Sequence, residues 1–226
     1  MSPDYTAPIL TVDGIVFQLS NDTRELQVLL IKRGFEPFKG AYALPGGYNP
    51  AGETTRQALD RVLAEKTGIH ITDLGWLEQL YTFDSVKRDP RGHAVSVVYM
   101  GLGRNMTPGH DDIVQNPQFY PVTNLPELAY DHNKLIAFAH ARLKAMITDT
   151  AAIAALLPPS FTFTELQTAY EAVLDSKLDK RNFRKKIMAL DLLTELSDQA
   201  HGGAHRPARL YTFRNPTMQS IIPTFG

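Results

Sequence analysis

The dipeptide Pro158-Pro159 constrains this chain more than any other feature. Proline fixes its own φ and disfavours helix in the residue before it, so two in succession predict a stiff, extended linker. The texture of the sequence changes across it, from strands mixed with two helical stretches to a compact run rich in Lys and Arg. At 226 residues the chain has room for one or two domains, given about 150 residues per domain. We therefore expect an α+β chain with a first domain over 1–155 and a second over 160–226.

Within the first part, Ile9–Phe17 and Leu26–Ile31 read as strands around a polar turn. A Gly/Pro-punctuated stretch then leads into a helix from about Glu53 to Thr67, which Gly68 stops. Strands are expected around Trp76–Phe83, Ala94–Leu102 and Gln118–Pro121. Asp131 is a candidate N-cap for a helix with Leu135, Ala139, Leu143 and Met146 on one face. Beyond the prolines, Thr164 and Gln167 have capping-box spacing, ahead of Leu166, Tyr170, Val173 and Leu174. After a short break, Asp179 caps a second helix with Phe183, Ile187, Leu190 and Leu193 towards the core. Two strands separated by a loop containing Gly202 and Gly203 complete the order of a winged helix-turn-helix.

Composition excludes several chemistries. With no cysteine there is no disulfide, no thiolate zinc site and no cysteine nucleophile. No apolar run approaches the roughly 20 residues of a membrane span, and the N-terminus lacks a secretory pattern. The cytoplasm is the expected compartment. The net charge of −1 hides an asymmetry: Ser176 to Arg214 holds nine basic and four acidic residues, the rest 14 and 20. A basic segment on an acidic body suits contact with a polyanion, although a solvated Lys/Arg-rich helix would have the same composition.

Lys180, Arg181, Asn182, Arg184 and Lys185 crowd the N-terminal half of the second helix, the half that a recognition helix presents to base edges and phosphates. Arginine reads guanine through two hydrogen bonds, Asn182 suits adenine, and lysine neutralises phosphate. Arg206 and Arg209 flank the hairpin where a wing would reach the backbone or minor groove. A hairpin that caps the first domain or forms a dimer is the competing interpretation. The capped first helix, short turn, basic helix and Arg-flanked wing together favour double-stranded DNA.

The stretch Gly47–Ile69 resembles the Nudix box, G-x5-E-x7-R-E-U-x-E-E-x-G-U with U a bulky apolar residue. Gly47, Glu53, Arg61, Leu63, Glu65, Gly68 and Ile69 match, and Leu44-Pro45-Gly46 precede them. The two remaining glutamates of the pattern are Val62 and Lys66. Helical spacing predicts positions 62, 65 and 66 on one face, where the family holds divalent cations with carboxylates. Valine and an ammonium there predict neither a metal site nor a catalytic residue. An ammonium at 66 can instead stand where a metal stood and neutralise a pyrophosphate. The expected ligand contacts are Arg33, Lys39, Gly46, Gly47, Glu65, Lys66, Arg88, Asp89 and Arg91, with Phe35 or Tyr48 available to stack a base.

A Nudix-like α/β/α sandwich followed by a winged helix-turn-helix resembles the Nudix-related transcriptional regulators, the NrtR family. The strings RDPRGHAVSVVYM, LPELAYDHNKLI, FTFTELQTAYEAVL, DKRNFRKKI and HRPARLYTF carry the resemblance. It implies a homodimeric repressor of NAD-metabolism genes on a palindromic operator, released by ADP-ribose, with no cofactor required; some similar regulators control sugar-utilisation genes. Two rivals are an ADP-ribose pyrophosphatase recruiting Asp111, Asp112, Glu127 or Asp131 as metal ligands, and a nucleotide-binding adaptor whose tail contacts protein.

Overall fold

A computed structural model of the chain describes residues 6–109, 116–147, 151–200 and 208–215. Arg206, Gly202, Gly203, Asp111 and Asp112 lie outside them.

The first domain is built on β1 (Ile9–Leu19), which is buried continuously from Val12 to Gln18. Such a run marks a strand covered on both faces. β1 lies parallel to β6 (Ala94–Leu102), from Ile9↔Ala94 to Phe17↔Leu102. It is antiparallel to β2 (Leu26–Lys32) at one end and to β4 (Gly46–Tyr48) at the other. β3 (Tyr42–Ala43) and β7 (Gln118–Pro121) extend β2, and β5 (Trp76–Phe83) edges the sheet beyond β6. The short strands β3 and β4 fall inside the Gly/Pro-rich stretch, which carries no alternation long enough to announce them.

Two helices cover the sheet. α1 (Thr55–Thr67) begins at a Thr54/Gln57 capping box and ends at Gly68 in the left-handed region. A Cβ on Gly68 would lie 2.6 Å from the Gly109 carbonyl oxygen, so the stop demands glycine on two counts. α1 packs Leu59, Val62 and Leu63 on Val12 and Val16. Gly14 admits the helix, since a Cβ there would meet Leu59 at 3.0 Å. On the other face α2 (His132–Met146) buries Leu135, Ile136, Ala139 and Leu143 against Ile15, Phe17, Val98 and Met100. Strand alternation therefore gives each helix its own set of β1 side chains.

The second domain comprises β8 (Phe161–Thr162), α3 (Phe163–Leu174), α4 (Lys180–Ala189), β9 (Leu193–Ala200) and β10 (Ala208–Phe213), with sheet order β8-β10-β9. The α3 capping box is Thr162 with Glu165, two residues before the expected Thr164/Gln167. Both pairs have the spacing, but Phe163 and Leu166 are buried, which sets the helix start. Gln167 instead donates to the Leu178 carbonyl and to Glu171, fastening the turn into α4. Asp179 caps α4 as expected, accepting from Asn182 N at 2.8 Å. Leu190, expected in the core, is exposed because α4 ends at Ala189; Leu193 is buried from β9.

The domains share one apolar core. A 3-10 turn (Ala151–Leu156) precedes the exposed prolines, and Leu156 and Leu157 are buried with α2 and α3 residues. His140 on α2 lies 2.8 Å from the Val173 carbonyl oxygen on α3.

Candidate ligand pocket and nucleic-acid interface

A cavity of about 300 Å³ opens where β1, β4, α1 and the start of α2 meet. Its floor is a buried charge network that sequence reasoning missed. Asp13 leaves β1 on the α2 side, beside Gly46 of β4, where a Cβ would lie 1.9 Å from Asp13 Oδ1. Only glycine allows that strand to pair over a carboxylate. Ser96 Oγ donates to Asp13 Oδ2 at 2.6 Å, and Arg88 bridges Asp13 (3.5 Å) and Asp131 (3.0 Å). Asp131 thus gives its carboxylate to Arg88 and makes no side-chain cap on α2, contrary to expectation. His132 accepts from Leu44 N at Nδ1, leaving the Nε2 proton towards Asp13 at 3.8 Å. Burial pushes the His132 pKa down, opposed by Asp13, so the ring is held neutral. The signal in the sequence was a charged residue, Asp13, inside the predominantly apolar strand Ile9–Phe17.

Above this floor stand two cations with no ion pair among the described residues. Lys66 Nζ donates to the Gly46 carbonyl at 2.6 Å. Its burial lowers the ammonium pKa, while the charge of Asp13 works against that shift. Arg33 Nε donates to the Pro37 carbonyl at 2.8 Å, its guanidinium 4.8 Å from the centroid of the Tyr130 ring. Tyr130 itself is held at φ 56°, a sparsely populated conformation for a bulky residue.

Of the expected ligand contacts, Arg33, Gly46, Gly47, Lys66, Arg88, Asp89 and Arg91 line this cavity, as do Phe35 and Tyr48. Lys39 and Glu65 do not. The Arg88 side chain is 5% exposed and committed to two carboxylates, so its charge is already balanced. Arg91 is held by Asp89 at 2.7 Å and in turn donates to the Tyr48 hydroxyl at 3.0 Å.

Nudix hydrolysis implies a divalent cation, and these residues do not fit one. Positions 62 and 66 share a face over Gly46 and Gly47, and Glu65 departs from it. Val62 is buried against Gly47, Lys66 enters the cavity, and Glu65 turns to solvent beside Arg61. At about 100° per helical residue, 62 and 66 lie only about 40° apart on the side facing β4, whereas 65 lies about 100° from 66, far enough to turn to solvent. Glu53 is bound by Arg61 at 2.9 Å, and that hydrogen bond holds its carboxyl below the usual range. Glu127 is exposed and Asp131 is engaged by Arg88. Among the described residues no three His, Asp or Glu side chains group to hold a metal.

The second candidate site is α4. Phe183 and Ile187 anchor it in the core, leaving Lys180, Arg181, Asn182, Lys185 and Lys186 exposed. No ion pair among the described residues involves those four cations. Arg184 points elsewhere: its guanidinium lies 4.5 Å from the Phe163 centroid and donates to Tyr211 Oη at 2.9 Å. Arg209, on the wing, pairs with Glu195 across the hairpin at 2.7 Å. A uniform basic helix gave no sign that one arginine would fold back onto aromatic rings.

Sheet, cavity and basic α4 define a Nudix domain fused to a winged helix domain of the DNA-binding kind. Residues 10–139 match the NUDIX domain, and residues 153–213 match the NrtR DNA-binding winged helix domain. The ADPR responsive transcriptional repressor NtrR of Acinetobacter baylyi is 37% identical over 217 residues, 93% of this chain and 84% of its own length. Shewanella oneidensis NrtR, solved alone and with a 27mer DNA, is 32% identical with TM-score 0.76, covering 92% of this chain and 94% of that one. Its NUDIX domain, solved with ADP ribose, is 33% identical with TM-score 0.56, over 62% and 90% of the two chains. An ADP-ribose pyrophosphatase of Methanocaldococcus jannaschii is 40% identical over 134 residues, 58% of this chain and 73% of that protein. The chain belongs to the NrtR family of Nudix-related transcriptional regulators. No helix among the described residues is long and apolar enough to cross a membrane.

Proposed function

We propose that this protein is a transcriptional repressor of NAD-metabolism genes that releases its operator when ADP-ribose fills the Nudix cavity. The observation that carries the reading is Lys66, a half-buried ammonium on the cavity wall at a position the Nudix box reserves for a metal-binding glutamate. With Arg33 it supplies unpaired positive charge for a diphosphate, and no cation is required. The other end of the molecule supports it: exposed Lys180, Arg181, Asn182 and Lys185 on α4, with Arg209 on the wing, suit double-stranded DNA. Two copies of one such helix need a homodimer and a palindromic operator, half-sites about one helical turn or a multiple apart. Release requires that ADP-ribose bind the DNA-incompetent arrangement more tightly than the competent one. The domain is a sensor without hydrolase chemistry.

The resemblance to the Methanocaldococcus pyrophosphatase favours a second reading, hydrolysis of ADP-ribose. Fluorescence anisotropy on the upstream DNA of the protein's own gene, with and without ADP-ribose, tests the first. Binding that falls on adding ADP-ribose supports it. Absence of binding to any duplex at low salt, with release of AMP and ribose 5-phosphate in magnesium or manganese, establishes the second.

A further inference from the structure

Arg91 and Asp89 contribute little free charge to the cavity. Asp89 is 7% exposed and holds Arg91 through three hydrogen bonds, at 2.9 Å to the backbone N and 3.0 and 2.7 Å to the guanidinium. Burial alone would push the Asp89 carboxyl up; hydrogen bonds from Arg91 and its charge outweigh this and hold it down. A guanidinium so engaged is a fixed prop. It donates to the Tyr48 hydroxyl at 3.0 Å, with Cζ 5.7 Å from the ring centroid. Tyr48 is 54% exposed at the cavity rim, on the last residue of β4, and makes no ring–ring contact among the described residues. A large aromatic left open yet pinned at its tip has no packing role to explain it. Phe35, the other exposed aromatic of the rim, carries no such support.

The geometry points to Tyr48 as the nucleobase platform of the cavity, with Arg91 as its positioning residue and Asp89 as the anchor of Arg91. This rests on the ADP-ribose reading and names what holds its adenine: the Tyr48 ring stacks the base while Arg33 and Lys66 take the diphosphate. Aromatic faces stack any base, so the platform supplies affinity for a purine and little discrimination between purines. Pinning the ring beforehand removes the ordering cost that a free surface tyrosine would meet on binding.

Calorimetric titration of the full-length protein with ADP-ribose tests this in five variants. Tyr48→Ala is expected to weaken binding about tenfold, while Tyr48→Phe, which keeps the ring, stays within about threefold of wild type. Arg91→Ala weakens binding by less than Tyr48→Ala, and the double variant is no weaker than Tyr48→Ala, as expected if Arg91 acts through Tyr48. Phe35→Ala leaves affinity near wild type. Fluorescence of 1,N6-etheno-ADP-ribose, which stacking quenches, is quenched by wild type and Tyr48→Phe and not by Tyr48→Ala. Unchanged affinity in Tyr48→Ala overturns the platform, as does a loss in Tyr48→Phe equal to that in Tyr48→Ala. A larger loss in Phe35→Ala moves the platform elsewhere, and an additive double variant makes Arg91 a direct ligand contact. Any of these leaves the ADP-ribose reading intact. Wild-type protein that fails to bind ADP-ribose overturns both.

Discussion

The cavity and α4 are both cationic, but they hold their charge in opposite ways. In the cavity Arg88 and Arg91 are matched to carboxylates, leaving Arg33 and Lys66 as its unpaired cations among the described residues. On α4 Lys180, Arg181, Lys185 and Lys186 stand in solvent with no ion pair among those residues. Water makes the difference. A buried charge costs several kcal/mol unless paired, whereas an exposed one is stabilised by solvent and released counterions. The cavity can therefore afford few free charges and must position them, while α4 carries many and positions them loosely. Under the proposed function, one region suits a particular small anion and the other a polyanion of regular spacing.

The contrast breaks most visibly at Arg88. Replacing it with alanine leaves the buried Asp13 and the half-buried Asp131 without their cation, which costs about 3–5 kcal/mol. Urea unfolding of Arg88→Ala is expected to show that loss, even though the residue lines a binding cavity. A loss under about 1 kcal/mol would mean that water reaches the network and that the cavity charges resemble those of α4.

Lys66 is next. Lys66→Ala removes a charge-assisted contact and should weaken ADP-ribose binding by about ten- to a hundredfold, with DNA affinity in the absence of ligand unchanged. The pH dependence follows from its burial. Because the folded-state pKa lies below the ordinary 10.5, the ammonium loses its proton at lower pH than a free lysine. ADP-ribose affinity therefore falls as pH rises through that lowered value, and Lys66→Arg removes the fall. For the ligand-free protein the sign is opposite: the unfolded chain keeps the proton longer, so this group destabilises the fold less as pH rises towards 10.5.

On α4 the prediction is a pair. Lys185→Ala should weaken binding to every duplex and reduce the salt slope by about one. Arg184→Ala should act on the fold, lowering stability by about 0.5–1 kcal/mol through its lost stacking on Phe163. If Arg184→Ala lowers DNA affinity more than Lys185→Ala without loss of stability, the side chain leaves the aromatic pocket to meet DNA.

What the sequence disclosed divides along the same line. Periodicity and breakers marked β1, α1, α2, α4 and the hairpin, since apolar spacing is a local property of burial. The β3 and β4 pairings were hidden because two- and three-residue strands carry no period. Exposed cations of α4 were legible from density alone. Most of the cavity lining was legible too, but not which of its charges are free: whether Arg88 is free depends on Asp13 and Asp131, 75 and 43 residues away in the chain. Positions 62 and 66 share a face as expected, but the turn of Glu65 to solvent was not foreseen, because spacing gives angles between side chains and leaves open which angle the sheet occupies.

The smallest expected effect concerns Glu171, where the second domain borrows the cavity's device. Its carboxylate accepts from Lys177 Nζ and Gln167 Nε2, each at 2.9 Å, and from Leu178 N at 3.1 Å, closing the α3–α4 turn. The hydrogen bond from Lys177 leads in lowering its pKa, to about 2. A depressed carboxyl contributes its full stability above the unfolded value of 4.5, and the contribution is lost as pH falls through that range towards about 2. Glu171→Gln should leave DNA affinity at neutral pH within about threefold, since none of the exposed α4 cations contacts it. Its stability difference from wild type should be widest above pH 5 and shrink as acid neutralises the wild-type carboxyl. A difference that stays constant down to pH 2 would show that the turn is held by packing around Leu178, with the charge of Glu171 counting for no more than that of an exposed residue on α4.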